Sequence, residues 1–148
     1  MSHRKDTLNM DATMNGIKPA ALCLAASLGT TALAAEQTEL KLKMTQLIGK
    51  ECSEISTNSN TILPGDCITY RIEVENISHN TAKDVVISAL IPEHTELHTT
   101  FRQLSDHRNL ASIIDINRKG QRVIKTTLDS LPTDQHNKVV LEYSVKVI

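Results

Sequence analysis

Tryptophan is absent from this 148-residue chain, and the other aromatics amount to one Phe and two Tyr. So few rings leave no stacking platform for bases or sugars and predict a core built from aliphatic side chains. Glycine is scarce at five residues, and no glycine-rich phosphate loop can be assembled from them. Neither sign of charge dominates: 16 Lys and Arg against 17 Asp and Glu give a net charge of −1. That balance argues against nucleic acid or an acidic membrane surface as a partner. A GxSxG elbow and an HExxH helix are both missing, so no enzyme is expected and no catalytic residue is assigned.

What is present first is an apolar, Ala-rich stretch from Ile17 to Ala35, short of the ~20 residues a membrane-spanning helix needs. Lys18, with Arg4 and Lys5 further upstream, supplies positive charge, and Ala32-Leu33-Ala34 has the small-x-small form of a signal-peptidase site. The segment 1–34 therefore reads as a helical secretory signal peptide, with the mature chain beginning at Ala35 or Glu36. Translation from Met14 would leave the more compact signal MNGIKPAALCLAASLGTTALA. The competing reading is an uncleaved membrane anchor. Cys23 follows Leu22, where a lipid-modified cysteine would want a small residue. Cleavage leaves roughly 113 residues, one domain over 35–148 with a single core and no membrane span. Its expected location is periplasmic or extracellular, associated with the cell envelope.

That domain alternates. Ile68, Tyr70, Ile72 and Val74 fall on one side of an extended chain and Thr69, Arg71, Glu73 and Glu75 on the other, the period of a strand with one buried and one wet face. Pro64-Gly65-Asp66 ahead of it has the composition of a type II turn. Further strands are expected over Glu39–Ile48, with a change of phase at Leu47–Ile48, and over Asp84–Ile91, stopped by Pro92. Others follow over Thr95–Phe101, Ser112–Ile116 and Val123–Leu128, the last two joined by a hairpin at Arg118–Gln121, and over Lys138–Ile148. About seven short strands predict an all-β, immunoglobulin-like β-sandwich. Ile68–Val74 and Val139–Val147 are expected to supply the inward teeth of its two facing layers.

Cys52 and Cys67 bracket a polar loop, and in an exported protein such a pair points to one disulfide. Two free thiols, or a metal or redox pair, are the other readings. His94 and His98, near Glu93 and Glu96, raise the alternative of a periplasmic metal-binding protein, with His79, His107 or His136 completing a site. In an extended segment their backbones lie about 13 Å apart, so the expectation is exposed loop histidines, no metal and no cofactor. Asn76-Ile77-Ser78 has the form of a glycosylation sequon.

The run PGDCITYRIEVENISHNTAKDVVISALIPEHTEL resembles the conserved-repeat domain of bacterial and archaeal surface proteins, the domain of unknown function eleven. Pro64, Gly65, Asp66, Tyr70, Val74, Asn76, Ala82, Val85 and Pro92 stand at matching positions, and LDSLPTDQHNKVVLEYSVKVI resembles the family's closing strand. The chain departs from the pattern at Ser78, His79 and Asn80 and at Asp134 and His136, where turn glycines are usual, and at Ala89, where Asp is usual. The resemblance implies an exported, non-catalytic β-sandwich module with a structural or protein-interaction role, its partner an envelope or surface protein. Only one copy fits, so a stalk built by repetition is not expected.

Overall fold

The computed structural model describes residues 37–53 and 61–148, together with the backbone of residues 13–14 and 55–56. Ten strands follow in order: β1 (Thr13–Met14), β2 (Leu40–Gly49), β3 (Ile55–Ser56), β4 (Cys67–Asn76), β5 (Ala82–Leu90), β6 (Thr95–Gln103), β7 (Arg108–Asn109), β8 (Ser112–Ile116), β9 (Arg122–Leu131) and β10 (Lys138–Val147). Apart from β1, the expected signal peptide lies outside the described residues.

The strands form two antiparallel sheets, ordered β3-β2-β4-β10-β6-β7 and β1-β5-β9-β8. Leaving aside the three two-residue strands, seven long ones divide four and three, the all-β sandwich expected from the alternation. Constant-type immunoglobulin domains divide their strands in the same proportion, with the fifth strand between the second and the fourth. Here the last strand, β10, takes that central place, between β4 and β6.

This order corrects one expectation. The apolar teeth of β4 and β10 do not face each other across the core. They lie side by side in one sheet, Ile68 opposite Val145, Tyr70 opposite Tyr143, Ile72 opposite Leu141 and Val74 opposite Val139. Alternation fixes which side of a strand is buried and is silent about which strand lies beside it. The opposing layer is supplied by Val85, Ile87 and Ala89 of β5 and Ile124 and Leu128 of β9. The phase change expected near Leu47–Ile48 marks the end of the strand at Gly49 and not a bulge, since the ladder to β4 runs unbroken from Leu40–Asn76 to Gly49–Cys67. Leu47 is instead buried on the outer face, opposite Thr69.

The core is aliphatic at its margins and aromatic in its middle, where all three rings of the chain meet. Tyr143 stacks on Tyr70 with centroids 5.1 Å apart and meets Phe101 edge-on at 5.2 Å. Its hydroxyl donates to the Leu90 carbonyl across the sandwich at 2.7 Å, and burial pushes its ionisation far above the ordinary tyrosine range.

Two turns show why their residues are needed. The Asp66 amide donates to the Leu63 carbonyl at 3.0 Å, closing a four-residue turn with Pro64 and Gly65 at its centre. Gly65 has φ +97°, as position three of a type II turn requires. Gly65→Ala meets no neighbouring atom, so the expected loss of about 1–2 kcal/mol is purely conformational. A urea midpoint unchanged by that substitution would refute the assignment. At the other turn, Asn76 is almost wholly buried. Its Nδ2 donates to the carbonyls of Asn80 at 2.8 Å and Leu131 at 2.9 Å, while its Oδ1 accepts from the amide and hydroxyl of Ser78. The nitrogen a glycan would need is consumed in tying the two sheets together, and the sequon is a structural clamp.

Candidate functional site: a polar groove beside the disulfide

β2 ends at Gly49, opposite Cys67 at the start of β4. The chain then turns through a short 3-10 segment, Lys50–Cys52, in which Glu51 and Cys52 both take left-handed backbone angles, φ 50° and 58°. That turn brings Cys52 to Cys67, and the two form a disulfide with Cα atoms 4.7 Å apart. Closing a loop of this length contributes on the order of 3 kcal/mol by loop-entropy arithmetic.

Asp66 holds the same corner without covalent bonds. Its Oδ2 accepts from Lys50 Nζ at 2.7 Å and from the Leu63 amide at 2.9 Å, and its Oδ1 accepts from the Glu51 amide at 3.2 Å. Lys50 Nζ also donates to the Thr61 carbonyl. The Lys50 hydrogen bond, with the Leu63 amide second, holds the Asp66 carboxyl below its ordinary value of 3.8. A carboxyl whose pKa is lower folded than unfolded contributes stability above its unfolded value and loses it as pH falls through the folded one. The stability curve is therefore expected to drop below about pH 4, and Asp66→Asn to flatten that drop. Urea midpoints measured from pH 6 to pH 2 check this; equal acid losses in both proteins would contradict it.

Beyond the corner, the outer face of the larger sheet carries a groove of about 530 Å³ running from the disulfide across β4 and β10 to β6. Two register shifts between β10 and β6, flanking Ser144, bulge the His98–Thr100 segment. They place the Thr99 and Ser144 hydroxyls 2.7 Å apart. Further along, Glu142 is buried on this outer face between two guanidinium groups, Arg71 Nη2 at 3.4 Å and Arg102 Nη2 in direct contact. Both arginines are partly exposed while the carboxylate is not. The groove thus presents the Arg102 guanidinium at its rim over a neutralised floor.

The histidine cluster weighed as the alternative does not assemble among the described residues. His79, His94, His107 and His136 are exposed on separate loops, His136 Nδ1 lying 3.5 Å from Asp134 Oδ1. His98 alone enters the groove, its imidazole within 4.8 Å of the sulfurs of Cys52 and Cys67. Among the described residues this is the one grouping of three ligand-type side chains, and both of its sulfurs are already bonded to each other.

Sequence reasoning found the two cysteines and the PGD turn. It missed Lys50, the Glu142 pair and the reach of His98, because each depends on which strands lie side by side. Comparison with protein-family models, curated proteins and solved structures finds no match.

Proposed function

We propose that this chain is an exported, non-catalytic β-sandwich module of the cell envelope with a structural or protein-interaction role. The observation that carries the reading is the covalent corner: a single-core sandwich whose loop between β2 and β4 is closed by Cys52–Cys67, a bond that persists in an oxidising compartment. The signal-like segment ahead of Ala35 and the resemblance of Pro64–Pro92 to the surface-protein conserved-repeat domain point the same way. The groove also favours binding or structure over chemistry. Its Glu142, Arg102, Thr99 and Ser144 side chains are occupied with one another, which favours a recognition surface over an activated nucleophile.

The metal-binding alternative draws only on His98, beside sulfurs that the disulfide occupies. Expression of the whole chain in a bacterial host, followed by cell fractionation and intact mass measurement, tests the proposal. The expected product is an envelope or secreted species beginning at Ala35 or Glu36 and lighter by two hydrogens than its reduced form. An unprocessed cytosolic chain with free thiols would overturn the reading, and stoichiometric zinc or copper in the purified protein would favour the alternative.

A further inference from the structure

The seven large apolar side chains left exposed among the described residues include Ile113, Ile114 and Ile116, at 64%, 58% and 57%. All three lie in the five-residue strand β8, SIIDI, which among the described residues is the terminal strand of its sheet and pairs with β9 alone. An exposed apolar edge strand is a template for another strand.

The direction of its free hydrogen-bonding groups follows from the hairpin. The Asn117 amide donates to the Gln121 carbonyl, so Ile113 and Asp115, in step with Asn117, bond toward β9. Ser112, Ile114 and Ile116 therefore turn their N–H and C=O groups to the open side. The side chain of Asp115, held by Lys125 Nζ at 2.6 Å, caps one of them, accepting from the Ile116 amide at 2.8 Å. Ile114 sits opposite Ile124, whose side chain is fully buried. It therefore points to the core side of the sheet, at a margin where the layer beneath does not cover it.

We infer that β8 pairs antiparallel with β8 of a second copy about a twofold axis at Ile114, joining the two smaller sheets edge to edge. Self-complementarity selects the second copy as occupant. In this register Ile114 faces Ile114 of the other copy and Ser112 faces Ile116, whose amide must exchange its Asp115 acceptor for the Ser112 carbonyl of the other copy. The core side then gains an unbroken row of four isoleucines, Ile124 and Ile114 from each copy. Asp115, the only charge in the strand, meets Ile113 of the other copy, and so two carboxylates never oppose. Centring the pair on Asp115 would set them face to face and is disfavoured. A five-residue strand buries well under the ~1,200 Å² of a stable interface. The dimer is thus reversible, with a dissociation constant on the order of 10–100 μM. The pairing does not depend on export.

Sedimentation velocity of the purified chain from about 1 to 500 μM is expected to show conversion from monomer to dimer. Ile114→Pro removes a donor that faces the open side while leaving the ladder to β9 intact, and should keep the protein monomeric throughout with unchanged circular dichroism. Should that variant lose its strand signal, Ile114→Lys replaces an exposed side chain and sets two ammonium groups against each other across the axis, with the same expected loss of dimer. A wild-type chain that stays monomeric to the highest concentration, or a dimer that survives in both folded variants, would overturn the inference. So would a monomeric chain whose β8 amides are protected by an apolar strand peptide of different sequence and not by self-association.

Discussion

Ile72→Asp is expected to leave no cooperative unfolding transition at 25 °C. Ile72 has no exposed surface and sits in the middle of the larger sheet, opposite Met44 on one side and Leu141 on the other. Shortening such a side chain costs roughly 2–5 kcal/mol through lost transfer energy and the cavity left behind. The new carboxylate has no cation on the inner face of β4, where its neighbours along the strand are Tyr70 and Val74. It must be desolvated or take up a proton, a further penalty of several kcal/mol. Together these rival the whole stability of a typical domain, about 5–15 kcal/mol. Ile72→Val, by contrast, should cost about 1 kcal/mol. Far-UV circular dichroism and urea titration of the three proteins decide the matter; an aspartate variant with a normal midpoint would mean that this face of β4 is not the core.

Tyr143→Ala comes next in size, with an expected loss of about 3–5 kcal/mol. The ring touches both other aromatics of the chain, and its hydroxyl reaches the opposite sheet at Leu90. Tyr143→Phe separates the two contributions. The ring stays, the Leu90 carbonyl loses its donor, and the expected loss falls to about 1–3 kcal/mol. Equal losses for the two variants would mean that the hydroxyl alone matters, contrary to the packing described. A further readout is phenolate absorbance: Tyr143 should not ionise at alkaline pH until the fold opens, since burial raises its pKa.

Much of the fold was legible in the residues themselves. The alternation of β4 and β10, the Pro-Gly-Asp turn and the Cys52–Cys67 pair each express a local rule, of pleat, of dihedral preference or of loop closure. Strand neighbours obey no local rule. For that reason the teeth of β4 and β10 could be identified but were placed in opposite layers. The rings of Tyr70, Phe101 and Tyr143 are scattered along the chain and meet only once β4, β6 and β10 lie side by side. The groove was the least legible part. Glu142 reads as one more outward charge in an alternating strand, and only the flanking presence of Arg71 and Arg102 turns it into a buried acceptor. Leu47 illustrates the same limit from the apolar side, since its break in phase fitted a bulge or a strand end equally, and only the regular ladder and the end of β2 at Gly49 decide for the second.

The central position of β10 governs when the protein can fold. Its partners in β4 were synthesised long before it, Arg71 and Glu142 being 71 positions apart. Until the residues near Val147 exist, β4 and β6 have nothing between them and the larger sheet is two unconnected halves. A chain of this design closes its larger sheet over long sequence separations, which make folding slow. Refolding is therefore expected to wait on the insertion of β10 between β4 and β6.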